Sequence, residues 1–131
     1  MPSAFRPWRR RLTGAFLVCC SVGGAGAAEI SDLARREVAQ ILARVAQSGC
    51  EFYRSGSWYS AAEARDHLER KYRYLVARQM IATAEDFVAM AGTRSSMTDE
   101  AYAIRCRGGA PQPSATWLTT ELRSLRAAPP R

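Results

Sequence analysis

The stretch HLERKY, residues 67–72, holds the only histidine and the only lysine in the chain, four positions apart. In a helix that spacing puts His67 and Lys71 on one face, with Glu63 a turn earlier. A neutral imidazole can serve as a general base and a desolvated amine as a nucleophile. Hydroxyls for them to act on stand at Ser95 and Ser96, in the polar segment TRSSMTDE. Three roles are open on these residues. Glu63, His67 and Lys71 can form an i, i+4 ladder on a solvated face, worth about a few tenths of a kcal/mol per pair. His67 can be a hydrogen-bonding post that pins the Ser95-Ser96 loop or a strand carbonyl. Or a small hydrolase or transferase can use Ser95 or Ser96 with His67 or Lys71.

Other chemistry lacks its parts. One histidine and a pair of cysteines do not make a zinc set, and the acids are scattered, so no metal and no cofactor is expected. Glu63 and Asp86 could be cast as the carboxylate pair of a sugar hydrolase, but both are accounted for as residues at helix starts. RGGAPQP lacks the lysine of a phosphate-cradling loop. Trp58, Tyr59, Tyr72 and Tyr74 read as core and rim aromatics. No residue is assigned as catalytic.

The front of the chain says where this chemistry would operate. RPWRRR, residues 6–11, precedes an apolar run rich in Gly and Ala, and the first acid is Glu29. This basic, apolar and small-residue order, with an A-x-A exit at Ala25 and Ala27, is that of a secretory signal peptide over residues 1–28, cleaved near residue 27 or 28. The run falls short of the about 20 apolar residues a span needs, so no retained transmembrane helix is expected. Val18 and Cys19 are not the small residue a lipoprotein signal wants before Cys19 or Cys20, which disfavours a lipid anchor. The expected location is periplasmic or secreted. Of 19 basic and 12 acidic residues, four arginines and no acid lie in residues 1–28, leaving 15 against 12, or +3. The basic excess therefore belongs largely to the leader, and nucleic acid is not an expected partner.

Residues 29–131 suffice for one domain with a thin core. Cys50 and Cys106 are its only cysteines. In an exported chain an even pair reads as a disulfide, with two buried free thiols as the alternative. Residues 31–48 place Leu33, Ala34, Val38, Ile41, Leu42 and Val45 on one side of a helix, with Ser31 to cap it and Gly49 to end it. CEFYRSGSWY predicts a hairpin turning at Gly56. Ser60 and Glu63 form a capping box for a second helix running to about Gln79, whose apolar side is Ala64, Leu68, Tyr72 and Leu75. His67, Lys71, Tyr74 and Arg78 fall along the edge of that stripe. Thr83 caps a third helix ending near Gly92. AYAIRCR predicts a strand, GGAPQP a break, and Ser114 caps a last helix bearing Trp117, Leu118, Leu122 and Leu125. From about residue 127 the tail frays.

In order, SGCEFYRSGSWY, AAEARDHLERKYRYL, TAEDFVAMAGTRSSM and AYAIRCR closely resemble the YfeK-like family of exported bacterial proteins, a domain of unknown function (DUF5329), over about residues 30–126. The resemblance implies a small periplasmic or secreted protein without an established activity, cofactor or catalytic residue. Arg54, Gly56, His67, Leu68, Lys71, Ala84, Glu85, Phe87, Ser95, Ser96 and Tyr102 match its recurring pattern. Where the family places a Gly and a Pro ahead of that tyrosine, this chain has Asp99, Glu100 and Ala101, which predicts a looser turn after Ser96. Some relatives lack the cysteine pair, which would make the disulfide a local staple.

The expected fold is α+β: a small antiparallel sheet, a hairpin plus one later strand from residues 50–59 and 102–107, packed on about four helices and stapled by one disulfide. The expected function is a non-enzymatic binding or structural module of the cell envelope. Its candidate binding or loop-pinning cluster is His67, Lys71, Tyr74, Ser95, Ser96 and Tyr102, and its partner an unidentified envelope protein or ligand. The alternative is the Ser95/Ser96 hydrolase or transferase.

Overall fold

A computed structural model describes residues 29–129; the expected signal peptide, with Cys19 and Cys20, lies outside them. Four helices and four short strands form an α+β domain. The elements are α1 (Asp32–Gln47), β1 (Glu51–Arg54), β2 (Ser57–Tyr59), α2 (Ala61–Ala77), α3 (Ala84–Ala91), β3 (Ala103–Arg105), β4 (Gln112–Pro113) and α4 (Ser114–Ala127).

Local chemistry sets most of the boundaries. Ser31 accepts from the Ala34 N–H at the start of α1. Ser60 and Glu63 bond reciprocally ahead of α2, and Thr83 and Asp86 do the same ahead of α3. These bonds satisfy N–H groups that a helix start leaves without partners, each cap being worth about 1 kcal/mol. Between β1 and β2 the chain reverses through Ser55 and Gly56, both at positive φ (46° and 90°), the two-residue turn whose twist suits a hairpin.

The sheet is antiparallel throughout, in the order β2-β1-β3-β4. In the central pair Glu51 faces Arg105, Phe52 faces Ile104 and Tyr53 faces Ala103. Cys50 and Cys106 are the next pair along that register and are joined by a disulfide, their Cα atoms 4.3 Å apart. Closing a loop with a sequence separation of 56 restricts the unfolded chain by about 4 kcal/mol in the chain-entropy account. Phe52 and Ile104 turn inward onto a core with Val38, Ile41, Val45, Leu68, Ile81, Phe87 and Leu118, and α1 touches all three other helices. No helix among the described residues is long and apolar enough to cross a membrane.

The structure departs from the sequence-based expectations at three places. The sheet has a fourth strand: Gln112 and Pro113, expected as part of a break, pair with Ile104 and Ala103. Proline is tolerated there because β4 is an edge and needs no inward donor. That pairing moves the start of α4, so Pro113 occupies the cap position and Ser114 is the first helical residue, without a capping bond. The Ser114 hydroxyl is instead buried and has no hydrogen-bond partner. Leu33, expected on the apolar side of α1, is 58% exposed, and Glu37 is buried in its stead. Glu37 can be buried because Arg126 of α4 grips both of its carboxylate oxygens, at 2.7 and 3.0 Å.

Candidate functional site

Strand alternation puts Phe52 and Arg54 on the helix-facing side of β1. Phe52 seals the core; Arg54, at the last pair before the turn, passes beyond it and meets α2. There Arg54 Nη1 donates to His67 Nδ1 at 3.0 Å, and its guanidinium lies over the Tyr59 ring, 4.6 Å from the centroid. Arginine carries no acceptor, so His67 Nδ1 must accept and the neutral ring's proton sits on Nε2. His67 Nε2 therefore donates to the Tyr102 hydroxyl, 3.1 Å away. One turn along, Lys71 Nζ donates to the same hydroxyl oxygen at 3.4 Å, to the Arg94 carbonyl at 3.1 Å, and sits 5.1 Å from the Tyr102 ring centroid.

The result is a continuous chain, Arg54 to His67 to Tyr102 to Lys71, crossing from sheet to helix to the segment before β3. Tyr102 is its fixed point. The Tyr102 N–H donates to the Thr93 carbonyl, and its own carbonyl accepts from the Ser114 N–H. Those two bonds hold the backbone while the side chain, 7% exposed, stands edge-on to His67 at 5.9 Å between centroids.

Electrostatics follow from burial among like charges. Partial burial, reinforced by Arg54, Lys71 and Arg70, pushes the His67 pKa down to about 4, so the ring is neutral at pH 7. Burial, then the charge of Arg54, also lowers Lys71. Burial raises the Tyr102 phenol, an effect that Arg54 opposes. The half-buried placement expected for His67 and Lys71 at the edge of the α2 stripe is what the structure has.

The cluster borders a pocket of about 230 Å³. Phe52, Ala64, Leu68 and Leu118 supply apolar wall; Arg54, His67 and Tyr102 supply polar wall, and Arg70, Glu63 and Asp66 also border it. Both carboxylates are engaged elsewhere. Glu63 accepts from the backbone N–H and hydroxyl of Ser60, and Asp66 accepts from Arg65. Gly92 is a further wall residue: a Cβ there would press on the tip of the Leu118 side chain, which would have to shift.

Of the six candidate residues, His67, Lys71 and Tyr102 come together and the other three do not. Tyr74 is 53% exposed and stacks with Arg78, 4.5 Å from ring to guanidinium, away from the cluster. Ser95 is buried, but its hydroxyl caps its own turn by accepting from the Met97 and Thr98 N–H groups, both at 3.3 Å. Ser96 is exposed. Among the described residues no hydrogen bond joins either serine to His67 or Lys71. The loop is pinned through the Arg94 carbonyl, one residue before Ser95. Nor does Glu63 extend a ladder to His67, its carboxylate being spent on the cap.

The turn after Ser96, expected to be loose, is closed by backbone bonds from Asp99 to the Ser95 carbonyl and from Ser95 to the Glu100 carbonyl. Asp99 supplies the positive φ, 57°. Glu100 also accepts from the Tyr53 hydroxyl at 2.9 Å, which ties the turn to β1.

Arg54 is the residue whose site role the spacing did not show, since its contact to His67 depends on how the hairpin lies across α2. The Arg54 match in the family pattern was the one available signal. Among the described residues no group of three His, Cys, Asp or Glu side chains converges as a metal-binding set.

A family model described as "Family of unknown function (DUF5329)" matches residues 32–126, which takes in every element of the domain except the last residue of α4. Comparison with curated proteins and with solved structures finds no match.

Proposed function

We propose that this chain, which belongs to the DUF5329 family, is a non-enzymatic binding module whose ligand site is the pocket beside His67. The observation that carries this is a set of cations with no anion bonded to them. Arg54, Arg70 and Lys71 gather around His67 and Tyr102, and none of the three has a carboxylate partner among the described residues. Like charges held together at the edge of a core disfavour folding unless something else selects for them. A cavity of defined shape with converging polar groups is the form such sites take.

The module works outside the cytoplasm, as a periplasmic or secreted, YfeK-like protein freed of residues 1–28. The disulfide and the character of the leader support this, disulfides persisting where thiols are not kept reduced. Intact mass of the protein recovered from the envelope fraction tests it: loss of the first 27 or 28 residues is expected, and a retained leader in a cytoplasmic fraction would count against it.

The Ser95/Ser96 hydrolase or transferase has less support, because a nucleophile must stand within hydrogen-bond reach of its base and neither serine does so. Binding is tested by screening a fragment library of mixed charge against the purified, oxidised protein by amide chemical-shift mapping. Shifts gathered on Arg54, His67, Leu68 and Tyr102 are expected. Shifts elsewhere, or none from any class of fragment, would remove the binding role.

A further inference from the structure

We propose that the pocket selects small molecules with a single carboxylate and an apolar body, the carboxylate meeting Arg54 and the Tyr102 hydroxyl; this rests on the binding role above and names its ligand class. The first support is a hydrogen-bond inventory. Of the five N–H donors of Arg54, one is spent on His67 and the others have no partner among the described residues. The Tyr102 oxygen accepts from His67 and from Lys71, which occupies both lone pairs and leaves the phenol only its proton to offer. A hydroxyl that accepts two bonds is polarised to donate a stronger third. Ser114, also on the pocket border, holds a buried hydroxyl without a partner. The pocket thus holds unspent donors on Arg54, Tyr102 and Ser114 that no carboxylate of the border engages, Glu63 and Asp66 bonding to Ser60 and Arg65 instead.

Charge and shape narrow the class. The flat guanidinium of Arg54, held against Tyr59, offers the paired N–H geometry that fits a carboxylate. Glu63 and Asp66 stand at the border and repel a dianion about twice as strongly as a monoanion, which favours a carboxylate over a phosphate monoester. Phe52, Ala64, Leu68 and Leu118 call for an apolar body. The volume, about 230 Å³, lies below the about 300–1,000 Å³ of pockets for drug-sized ligands, so that body is small.

The test compares probes matched in shape and different in charge. Benzoate and hexanoate are titrated calorimetrically at pH 7 and low salt against benzamide and hexanamide, with phenyl phosphate as the dianion. At least one carboxylate is expected to bind about tenfold or more tightly than its amide, and phenyl phosphate more weakly than benzoate. Arg54→Gln should cost the carboxylate about tenfold in affinity and Tyr102→Phe a smaller factor, with little change for the amides. Equal binding of acid and amide, tighter binding of phenyl phosphate, or no binding of either acid overturns the carboxylate assignment. The acid–amide comparison is made on the unaltered protein, so it survives a variant that fails to fold. Neutral or cationic hits in the pocket from the fragment screen would overturn the carboxylate class while leaving the binding role standing; a screen empty of hits removes both.

Discussion

Two of the polar clusters that cross between elements of this domain are built on opposite principles. In one, Arg126 of α4 sits between two carboxylates, gripping Glu37 of α1 through two bonds and Glu85 of α3 through a third. Those partners hold the Arg126 guanidinium well above its ordinary pKa. In the other, Arg54, Lys71 and Arg70 surround a neutral histidine and a phenol, with no carboxylate bonded to any of them among the described residues. The first cluster spends its hydrogen-bonding capacity inside the protein, whereas the second keeps donors and charge in reserve. On the reading proposed above, the difference separates fastening from recognition. A cation between acids holds helices together, and on that reading one held against a pocket with no carboxylate bonded to it is available to a ligand.

The fastening cluster yields the largest expected effect. Arg126→Leu strands the Glu37 carboxylate, which is only 9% exposed, and should cost about 2 kcal/mol in denaturant unfolding, below the 3–5 kcal/mol of a fully buried pair because Arg126 is half exposed. Adding Glu37→Leu should recover most of that loss, since no charge is then left buried. A single-variant loss under about 0.5 kcal/mol would place this cluster with ordinary surface pairs and weaken the contrast.

The next effect reads the recognition cluster through pH. His67 is the only histidine, and its pKa is about 4 in the fold against 6.5 for the ordinary group. Between those values the unfolded chain takes up a proton that the folded chain refuses, so stability is full above about pH 6.5 and falls as pH drops toward 4. Discounted for partial exposure, the loss between pH 7 and 4.5 should be about 1.5 kcal/mol. His67→Gln should flatten the curve in the upper part of that window, above about pH 5.5; nearer pH 4.5 protonation of Glu51, Glu63 and Glu85 in the unfolded chain, all held below their ordinary values in the fold, adds a slope that the variant keeps. An unchanged slope in the variant would mean that His67 is not held neutral by its burial and the charges of Arg54, Lys71 and Arg70.

What the sequence disclosed, and what it did not, divides along the same line. Caps and turns are local, and Ser31, Ser60 with Glu63, Thr83 and Gly56 sit where their neighbours alone would put them. The edge position of His67 and Lys71 follows from helical period. Partners distant in sequence were not legible. Arg126 lies 89 residues from Glu37, so nothing near Glu37 announced that it, and not Leu33, would be buried. Tyr102 lies 35 residues from His67 and entered only through the family pattern. The pairing of His67 with Ser95 or Ser96, one of three roles open on these residues, is not among the hydrogen bonds of the described residues, the Ser95 hydroxyl accepting from Met97 and Thr98 in its own turn. Ser114 failed as a cap because β4 pairs with β3 and draws the Ser114 N–H onto the Tyr102 carbonyl, a contact that no local reading of GGAPQPS contains.

Ser114 gives the third effect. A buried hydroxyl with no partner carries its desolvation cost uncompensated, and alanine suits a first helical turn at least as well. Ser114→Ala should therefore raise stability by about 1 kcal/mol in the unliganded protein, measured as a shift of the denaturant midpoint at constant slope. A destabilised variant would show that the hydroxyl has a partner after all, and would take one group from the pocket's unmatched set.

The smallest effect tests the comparison most directly. Arg54→Gln removes a cation as Arg126→Leu does, and it also breaks a contact to another element. Yet no carboxylate is stranded by it, the water-accessible pocket can supply His67 Nδ1 with a donor, and repulsion with Lys71 and Arg70 is relieved. The lost contact with Tyr59 opposes these by about 0.5–1 kcal/mol. The net change in unfolding free energy should therefore lie within about 0.5 kcal/mol of zero, and because His67 loses a like-charged neighbour its pKa should rise, which imidazole NMR titration reads without reference to stability. Arg54 as a merely structural fastener would instead give a loss near that of Arg126→Leu, and the two clusters would then differ in composition but not in kind. A near-zero cost at Arg54 beside a large one at Arg126 is the expected signature of a residue kept for what it binds.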